Sequence, residues 1–532
     1  MAVSRNVLFW ICAFRAFGSA SQYWQEVIIP APLEVNAGGR FGTSISLLGD
    51  LLLVGAPGTT SGAPATGAAF LFGRNEGGVN AWNFVHALHL PTPVSGARLG
   101  GRVLLVGDRA LVSALTDTHL GVRTGSIYVF EKDFGGPGNW GFKQRIRPDT
   151  LQEGMRFGSW VRYVNGALIV ACPGYDEDLD DALVGVGAIA VYHDDGSGQF
   201  VASRFIPGDV LVDEVIARPC VGDWFDVVGD RFVHVEDQGT EAFDPGRAYV
   251  IHADSLLDHT LPLPAAHRIV PSNTYGDAFD GLIMTEGAAD GDQLVLGMWH
   301  PVVPGVHGEY HRGITFANDG PSGLEQLASA LPDTAAPYLQ FFPFGREGWD
   351  VLDLYRGRLL AGALGDSTFT PLGHAEVYNT YDGATTDWTR VGYLQPSDPH
   401  LGDRFGATGA VDDKVAIIGA PTHDLLDRGQ VYVFLDPTVG VEERMSSEEP
   451  MIRAWPDPVS RSSRGLNIAI DAQDPNGTIS CCTVDGKEVW RQRAASSMLI
   501  PVHDLATGMY VLTWLPGKAD GRSGTLRMIV TP

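Results

Sequence analysis

Three aspartates in strict alternation, Asp176, Asp178 and Asp180, offer the hard carboxylate oxygens that calcium takes. Glu177 and Asp181 lengthen the acidic run, but the glycine turn and distal acid of a complete calcium loop are missing. A second group, His300, His307 and His311, stands among Trp299, Glu309, Tyr310 and Arg312. Imidazole nitrogens suit a divalent ion of borderline softness, so these three are the candidate ligands of a transition-metal site. Further polar stretches hold Glu236, Asp237, Glu241 and Asp244, and then His423, Asp424 and Asp427. Each group also has a plainer reading as a solvated loop. The sequence contains no nucleophile elbow, no Ser-His-Asp pattern and no phosphate-binding glycine loop.

These groups lie between the elements of an internal repeat. Its best copy begins Arg40-Phe41-Gly42, runs through Ser44 to Leu48, turns at Gly49-Asp50 and continues Leu51 to Pro57 with Gly55-Ala56-Pro57 at its end. A polar loop leads to Gly67-Ala68-Ala69-Phe70-Leu71-Phe72, and a second loop to Trp82-Asn83-Phe84-Val85. Gly-Asp between apolar runs is a hairpin turn, and proline after a buried run ends a ladder it cannot donate to. Each copy therefore reads as four antiparallel strands, which is one blade of a β-propeller.

Copies begin at Arg98-Leu99-Gly100, Arg156-Phe157-Gly158, Val221-Gly222, Tyr275-Gly276, Phe344-Gly345 and Arg404-Phe405-Gly406, making seven with the first. Trp24, Trp82, Trp140 and Trp388 each precede the Phe or Leu of the next copy by 17 positions. The last copy stops at Phe434 without a Trp stretch behind it, while Trp24 to Ile29 precedes the first copy unmatched. The expectation is a seven-bladed propeller over 24–437 whose N-terminal strand completes the last blade and removes a free sheet edge. The candidate metal and calcium residues then fall on loops between the second and third strands, which emerge on one face. Leu324 to Leu331 is one of few stretches with helical spacing.

Phe-Gly followed by Gly-Ala-Pro and a Gly-x-Val-Tyr-Val-Phe strand resembles the FG-GAP repeat of integrin α-subunit propellers and of secreted bacterial proteins. The integrin-type cage Asp-x-Asp-x-Asp-Gly-x-x-Asp occurs in no copy, so the resemblance implies the fold without implying calcium there. Seven-bladed propellers also host polysaccharide lyases, in which His, Tyr and Arg serve as base, acid and charge neutraliser. That gives the His300–Arg312 stretch a second, enzymatic reading.

Around this body the chain carries other signals. Residues 1–20, with Arg5, the apolar run Val7 to Phe14 and the small residues Gly18-Ser19-Ala20, read as a signal peptide. Residues 438–450 are polar and acidic, a linker. Residues 451–532 alternate as short strands with an Asp485-Gly486 turn, a small immunoglobulin-like β-sandwich. Pro456-Asp457-Pro458, Asp485-Gly486-Lys487 and Asp504-Leu505 with Gly508-x-Tyr510 resemble the C-terminal sorting domain of type IX secretion substrates. That resemblance implies passage through an outer-membrane secretion machinery to the surface or medium of a Gram-negative bacterium.

A net charge of −26 over 532 residues disfavours nucleic acid and anionic membranes, whose phosphates need clustered Lys and Arg. No stretch is apolar enough for a transmembrane helix. Beyond Cys12, the cysteines Cys172, Cys220, Cys481 and Cys482 lack zinc spacing and read as small buried hydrophobes. Two functions follow: a non-enzymatic binding or adhesion protein for extracellular glycans or proteins, or a metal-assisted carbohydrate-active enzyme. Calcium is the one cofactor expected, and only at the aspartate run.

Overall fold

The computed structural model describes residues 24–436 apart from 76–77, 79, 177–185, 212–223, 237–246, 264–266, 270–282, 292, 301–309, 319–323, 330–350, 364–371 and 381–387. In the tail it describes residues 452–531 apart from 456–458, 461–465, 471–476, 484–486, 494–496, 501–504, 507 and 517–523. The signal-peptide stretch, the 438–450 linker and the Pro456-Asp457-Pro458, Asp485-Gly486 and Asp504 landmarks lie outside the described residues. The chain divides into two compact units, Met1–Thr438 and Val439–Pro532.

Among its described residues the first unit is all β apart from short helices at Gly208–Leu211 and Ala253–Leu257. Its described strands form seven four-stranded antiparallel sheets and one two-stranded ribbon, Thr118–His119 with Val122–Arg123. Blade one is Ser44–Leu48, Leu51–Ala56, Ala68–Arg74 and Trp82–Leu88, and blade two is Leu99–Val106, Arg109–Ala114, Ser126–Lys132 and Trp140–Ile146. Blade three runs Val161–Val164 to Phe200–Pro207, blade four Trp224–Val228 to His267–Ile269, blade five Ile283–Asp290 to Leu324–Ser329, and blade six Leu352–Tyr355 to Trp388–Leu394. Blade seven takes Thr408–Val411, Val415–Ala420 and Gln430–Leu435 from one part of the chain and Gln25–Pro30 from another. The register of that last pair runs from Gln25 opposite Leu435 to Pro30 opposite Gln430.

Leu324–Ser329 is a strand, the fourth of blade five, and not the helix its spacing suggests. The ladder beside Tyr310–Asn318 supplies pairing partners along the strand except at a bulge at Leu327, which outweighs a weak local helical preference.

Apolar side chains on both faces of the blades build the core. Seven buried clusters of the described residues each join two consecutive blades, and one of them joins blade seven to blade one through Val415, Ile417, Val431, Val433, Leu52, Val54 and Phe70. The aromatic of the Arg-Phe-Gly motif plugs these junctions: Phe41, Phe157 and Phe405 are completely buried. The ring is therefore held by face-to-face burial of apolar surface between sheets.

The glycines of the repeat have a steric role at the same junctions. A Cβ on Gly55 would stand 2.0 Å from the carbonyl oxygen of Gly100, one on Gly362 would stand 2.2 Å from that of Gly406, and one on Gly419 would stand 2.4 Å from that of Gly42. The Gly-Ala-Pro glycine of one blade thus lies against the Phe-Gly glycine of the next. A hydroxyl seals the contact: Ser44 Oγ donates to Gly100 O at 2.8 Å and Thr408 Oγ1 to Gly42 O at 2.6 Å.

The outer strands carry a bulge at a constant place. Register shifts fall at Leu71/Phe72, Val129/Phe130, Val191/Tyr192, Thr315/Phe316 and Val377/Tyr378. Such bulges twist an edge away from further pairing. The Gln25–Pro30 strand shows no such shift. Trp24 beside it docks on blade six, its indole N–H donating to Val391 O at 3.2 Å.

The second unit has a three-stranded sheet, Ile452–Trp455, Leu466–Ile470 and Ser497–Ile500, and a five-stranded one built around Gly477–Thr483 and Gly508–Pro516. Ile479, Cys481, Leu505 and Leu512 are buried within it. Cys172, Cys481 and Cys482 are free thiols. Among the described residues no helix is long and apolar enough to cross a membrane.

Candidate functional site

The Arg-Phe-Gly motif crosses from one blade to the next with its arginine in the left-handed region, at φ of 57° for Arg40, 58° for Arg98, 56° for Arg156 and 57° for Arg404. The glycine that follows, Gly42 for example at 93°, turns the chain down into the inner strand. Two backbone bonds then pin the crossings into blades one, two and three to the loop between strands two and three of the preceding blade. Phe41 N–H donates to Arg428 O (2.7 Å), Leu99 N–H to Thr66 O (2.9 Å) and Phe157 N–H to Thr124 O (2.9 Å). Three residues earlier, Gly38 donates to Leu426 O, Gly96 to Pro64 O and Gly154 to Arg123 O. Crossings and loops therefore share one rim, where backbone is fixed and side chains differ from blade to blade.

Blade seven gathers the densest polar group described on that rim. His423 lies on the 421–429 loop, and its Nδ1 is 2.9 Å from Asp403 Oδ2, with both side chains at most 9% exposed. Asp403 Oδ2 also accepts the backbone N–H of His400 at 2.8 Å, and His400 Nδ1 stands 3.6 Å from it. The two imidazoles meet edge to face at 5.1 Å. On the other side of His423, Nε2 is 3.8 Å from Asp398 Oδ2. Asp398 is itself held by Tyr432, whose hydroxyl donates to Oδ1 at 2.8 Å, and by Gln430 Nε2 at 3.1 Å. Burial first, then the bond to Asp398, pushes the Tyr432 phenol far up, so it stays a neutral donor.

His400, Asp403 and His423 each place a ligand atom within 4.8 Å of the others, the one such metal-competent set among the described residues. Sequence reasoning singled out His423 but passed over Asp398, His400 and Asp403. The polar runs stand out in the loops between strands two and three, whereas the crossings look like plain connections. The signal was available: a His-x-x-Asp run immediately before Arg404-Phe405-Gly406 lies on the same rim by the repeat's own geometry.

The other candidates fare differently. Asp176 sits at the start of its loop with its backbone clamped by Gln152, which accepts its N–H at 2.8 Å and donates to its carbonyl at 2.5 Å. Asp178 and Asp180 lie outside the described residues. His300 and His311 occupy neighbouring rungs of one ladder, opposite Tyr310 and Trp299 respectively, while His307 lies outside the described residues. In blade two the corresponding place is structural: Asp117 is fully buried, accepts Tyr128 Oη at 2.8 Å and pairs with Arg145 at 2.6 Å.

A second polar group lies on inner strands. Arg162 pairs with Asp226 at 2.9 Å, and the guanidinium carbons of Arg102 and Arg162 stand 3.5 and 4.7 Å from the Trp160 ring centroid. On blade six, Asp353 Oδ2 accepts the N–H of Val411 at 2.7 Å. Burial pushes the Asp353 carboxyl up to about 6, against the pull of Val411 and Arg162.

The FG-GAP repeat family matches residues 24–72 and 388–434, the two stretches that meet at the closing blade. The protein is a β-propeller carrying FG-GAP repeats. No sequence among the curated proteins matches the chain. Among solved structures this propeller is similar to the β-propeller domain of the Trilobed protease from Pyrococcus furiosus, at 8% identity over 73% of this chain and 91% of that one, with a TM-score of 0.38. It is similar to an alpha-L-arabinanase of Penicillium chrysogenum at 12% identity, 78% and 98% coverage and a TM-score of 0.38. A Mycobacterium tuberculosis puromycin-hydrolyzing peptidase gives 14% identity, 85% and 60% coverage and a TM-score of 0.42.

Proposed function

We propose that this β-propeller is an exported binding or adhesion module that engages extracellular glycans or proteins through its rim. The observation that carries this reading is the rim itself. One backbone device fixes the crossings and loops at the junctions of blades seven, one, two and three, while the side chains they present differ: Asp427 and Arg428 in one, Thr118 and His119 in another. A fixed frame with variable polar loops is how a scaffold presents a recognition surface. The FG-GAP matches agree with a module of this type. Export to the surface of, or outside, a Gram-negative cell is the part of the proposal supported by the leader-like 1–20 stretch and by the resemblance of 451–532 to type IX sorting domains.

One observation favours a second reading, a metal-assisted enzyme acting on carbohydrate: His300 and Tyr310 stand directly opposite one another on a single rung of the blade-five ladder, whereas His311, one rung on, belongs to the other face of the sheet. A glycan array and a depolymerisation screen, each with and without divalent ions, separate the two. Saturable binding without turnover supports the binding module. Cleavage of any polymer, abolished by His300→Ala, replaces it with the enzyme. Cleavage of the tail on export, followed by mass spectrometry of the secreted protein, tests the sorting role.

A further inference from the structure

We propose that His400, Asp403 and His423 form a site for a single divalent transition-metal ion of the zinc class, and that loading it stiffens the junction that closes the ring. The proposal is independent of whatever ligand the rim takes.

The donor set comes first. Two imidazoles and one carboxylate are the ligands of borderline ions; calcium and magnesium prefer all-oxygen cages. The geometry follows. A zinc ion with bonds of about 2.0–2.2 Å holds its ligand atoms little more than 3 Å apart. His423 Nδ1 and Asp403 Oδ2 are already 2.9 Å apart, and His400 Nδ1 is 3.6 Å from that same oxygen. The ion would replace the hydrogen shared by His423 and Asp403, with His400 swinging in by a small rotation.

Each ligand has the freedom its part requires. Asp403 and His423 are buried and held, whereas the His400 side chain is 61% exposed and able to move. A three-ligand protein set leaves a fourth position open to water or to a bound partner. Arg428, on the same loop, is paired with Asp424 at 2.6 Å. Asp398, beyond His423 Nε2, adds negative charge on the far side of the ring.

The ligands join two separate segments. His400 and Asp403 belong to the crossing out of blade six. His423 belongs to the loop whose carbonyls at Leu426, Asp427 and Arg428 receive the N–H groups of Gly38, Arg40 and Phe41. That loop is where the start of the propeller meets its end. An ion that ties it to the crossing stabilises the closed state by mass action.

The test uses the full chain without an affinity tag, stripped by chelator and titrated with Zn²⁺ alone by calorimetry, then with Co²⁺ by absorption. One equivalent bound, with the visible bands of four-coordinate cobalt, supports the site. His400→Ala removes an exposed side chain, so its fold should be intact by metal-free urea unfolding. Its zinc affinity should fall by about 100-fold, at or beyond what loss of an outer-shell partner costs. Asp403→Asn should do the same, and zinc should raise the unfolding midpoint of the parent but of neither variant. No binding by the parent overturns the proposal. Binding of equal strength in His400→Ala and Asp403→Asn also overturns it, because the ion then sits elsewhere, and His307→Ala would identify the blade-five histidines as its seat. Zinc binding that leaves the midpoint unmoved overturns the stiffening.

Discussion

Replacing Gly419 with alanine should destabilise the propeller far more than one methyl group in an open position would. The backbone of Gly419 needs no left-handed conformation, so the whole effect is steric. Its new Cβ would lie 2.3 Å from Thr408 Oγ1 and 2.4 Å from the carbonyl oxygen of Gly42. A rotation of Thr408 relieves the first contact at the cost of its 2.6 Å bond to Gly42 O, about 1 kcal/mol. The second contact is with backbone, and relieving it separates blade seven from blade one; overpacking of this kind costs about 1–3 kcal/mol. Together about 2–4 kcal/mol is expected. Gly55→Ala repeats the experiment one junction along, with Gly100 O at 2.0 Å and Ser44 Oγ at 2.3 Å. Gly49→Ala is the contrast: it meets nothing within 4 Å and bears only the left-handed cost at φ 57°, about 1–2 kcal/mol. Urea unfolding followed by tryptophan fluorescence reads all three. If Gly419→Ala and Gly55→Ala unfold no earlier than Gly49→Ala, the repeated glycines are not holding the blades together.

Two further outcomes follow from the same structure. Asp353 is a carboxyl whose folded pKa is raised to about 6, so the folded state holds its proton more tightly than the unfolded chain does. Its stabilising share is complete below pH ~4 and fades as pH rises through about 6, so Asp353→Asn should flatten the fall in stability across that window; an unchanged pH profile of unfolding refutes the assignment. Removal of residues 1–30 strips the partner from Gln430–Leu435, whose residues are all buried, and bares an apolar edge strand. That chain should aggregate on size-exclusion chromatography, and a monomer that unfolds as cooperatively as the parent would contradict closure by Gln25–Pro30.

What was legible in the sequence is what the backbone and the junctions demand. Arg-Phe-Gly stands out because a left-handed residue, a buried plug and a glycine in contact with the neighbouring blade must follow one another. Gly49-Asp50 and Gly107-Asp108 stand out because two-residue hairpins need positive φ, here 57° and 54° at the glycines. The orphan Trp24 stretch announced its pairing because a four-strand unit cannot lack its outer member. The illegible parts are those decided by tertiary contact. Ala253–Leu257 is one helical turn that caps blade four by burying Leu256 and Leu257 among residues from two blades, and nothing in five residues declares that. Leu324–Ser329 has helical spacing and is a strand because a ladder was waiting for it.

The rim site was half visible for a related reason. His423 lies in a loop that any reading of the repeat would inspect, but its partners Asp398, His400 and Asp403 come from 20 to 25 positions earlier, in a crossing that looks like mere connection. The backbone bonds from Gly58 to Gly39, Thr116 to Ala97, Gly174 to Met155 and Thr422 to Asp403 remove that distinction, since each ties a blade's loop to the crossing that enters the blade. It follows that chemistry on this scaffold belongs to pairs of segments about 20 residues apart. In blade two the loop spends Asp117 on a buried network with Tyr128 and Arg145 of its own outer strands; in blade three Gln152 of the crossing grips the backbone of Asp176. Only in blade seven, among the described residues, does the pair bring together imidazoles and a carboxylate in metal-competent geometry, and it does so where the two ends of the propeller must be held together.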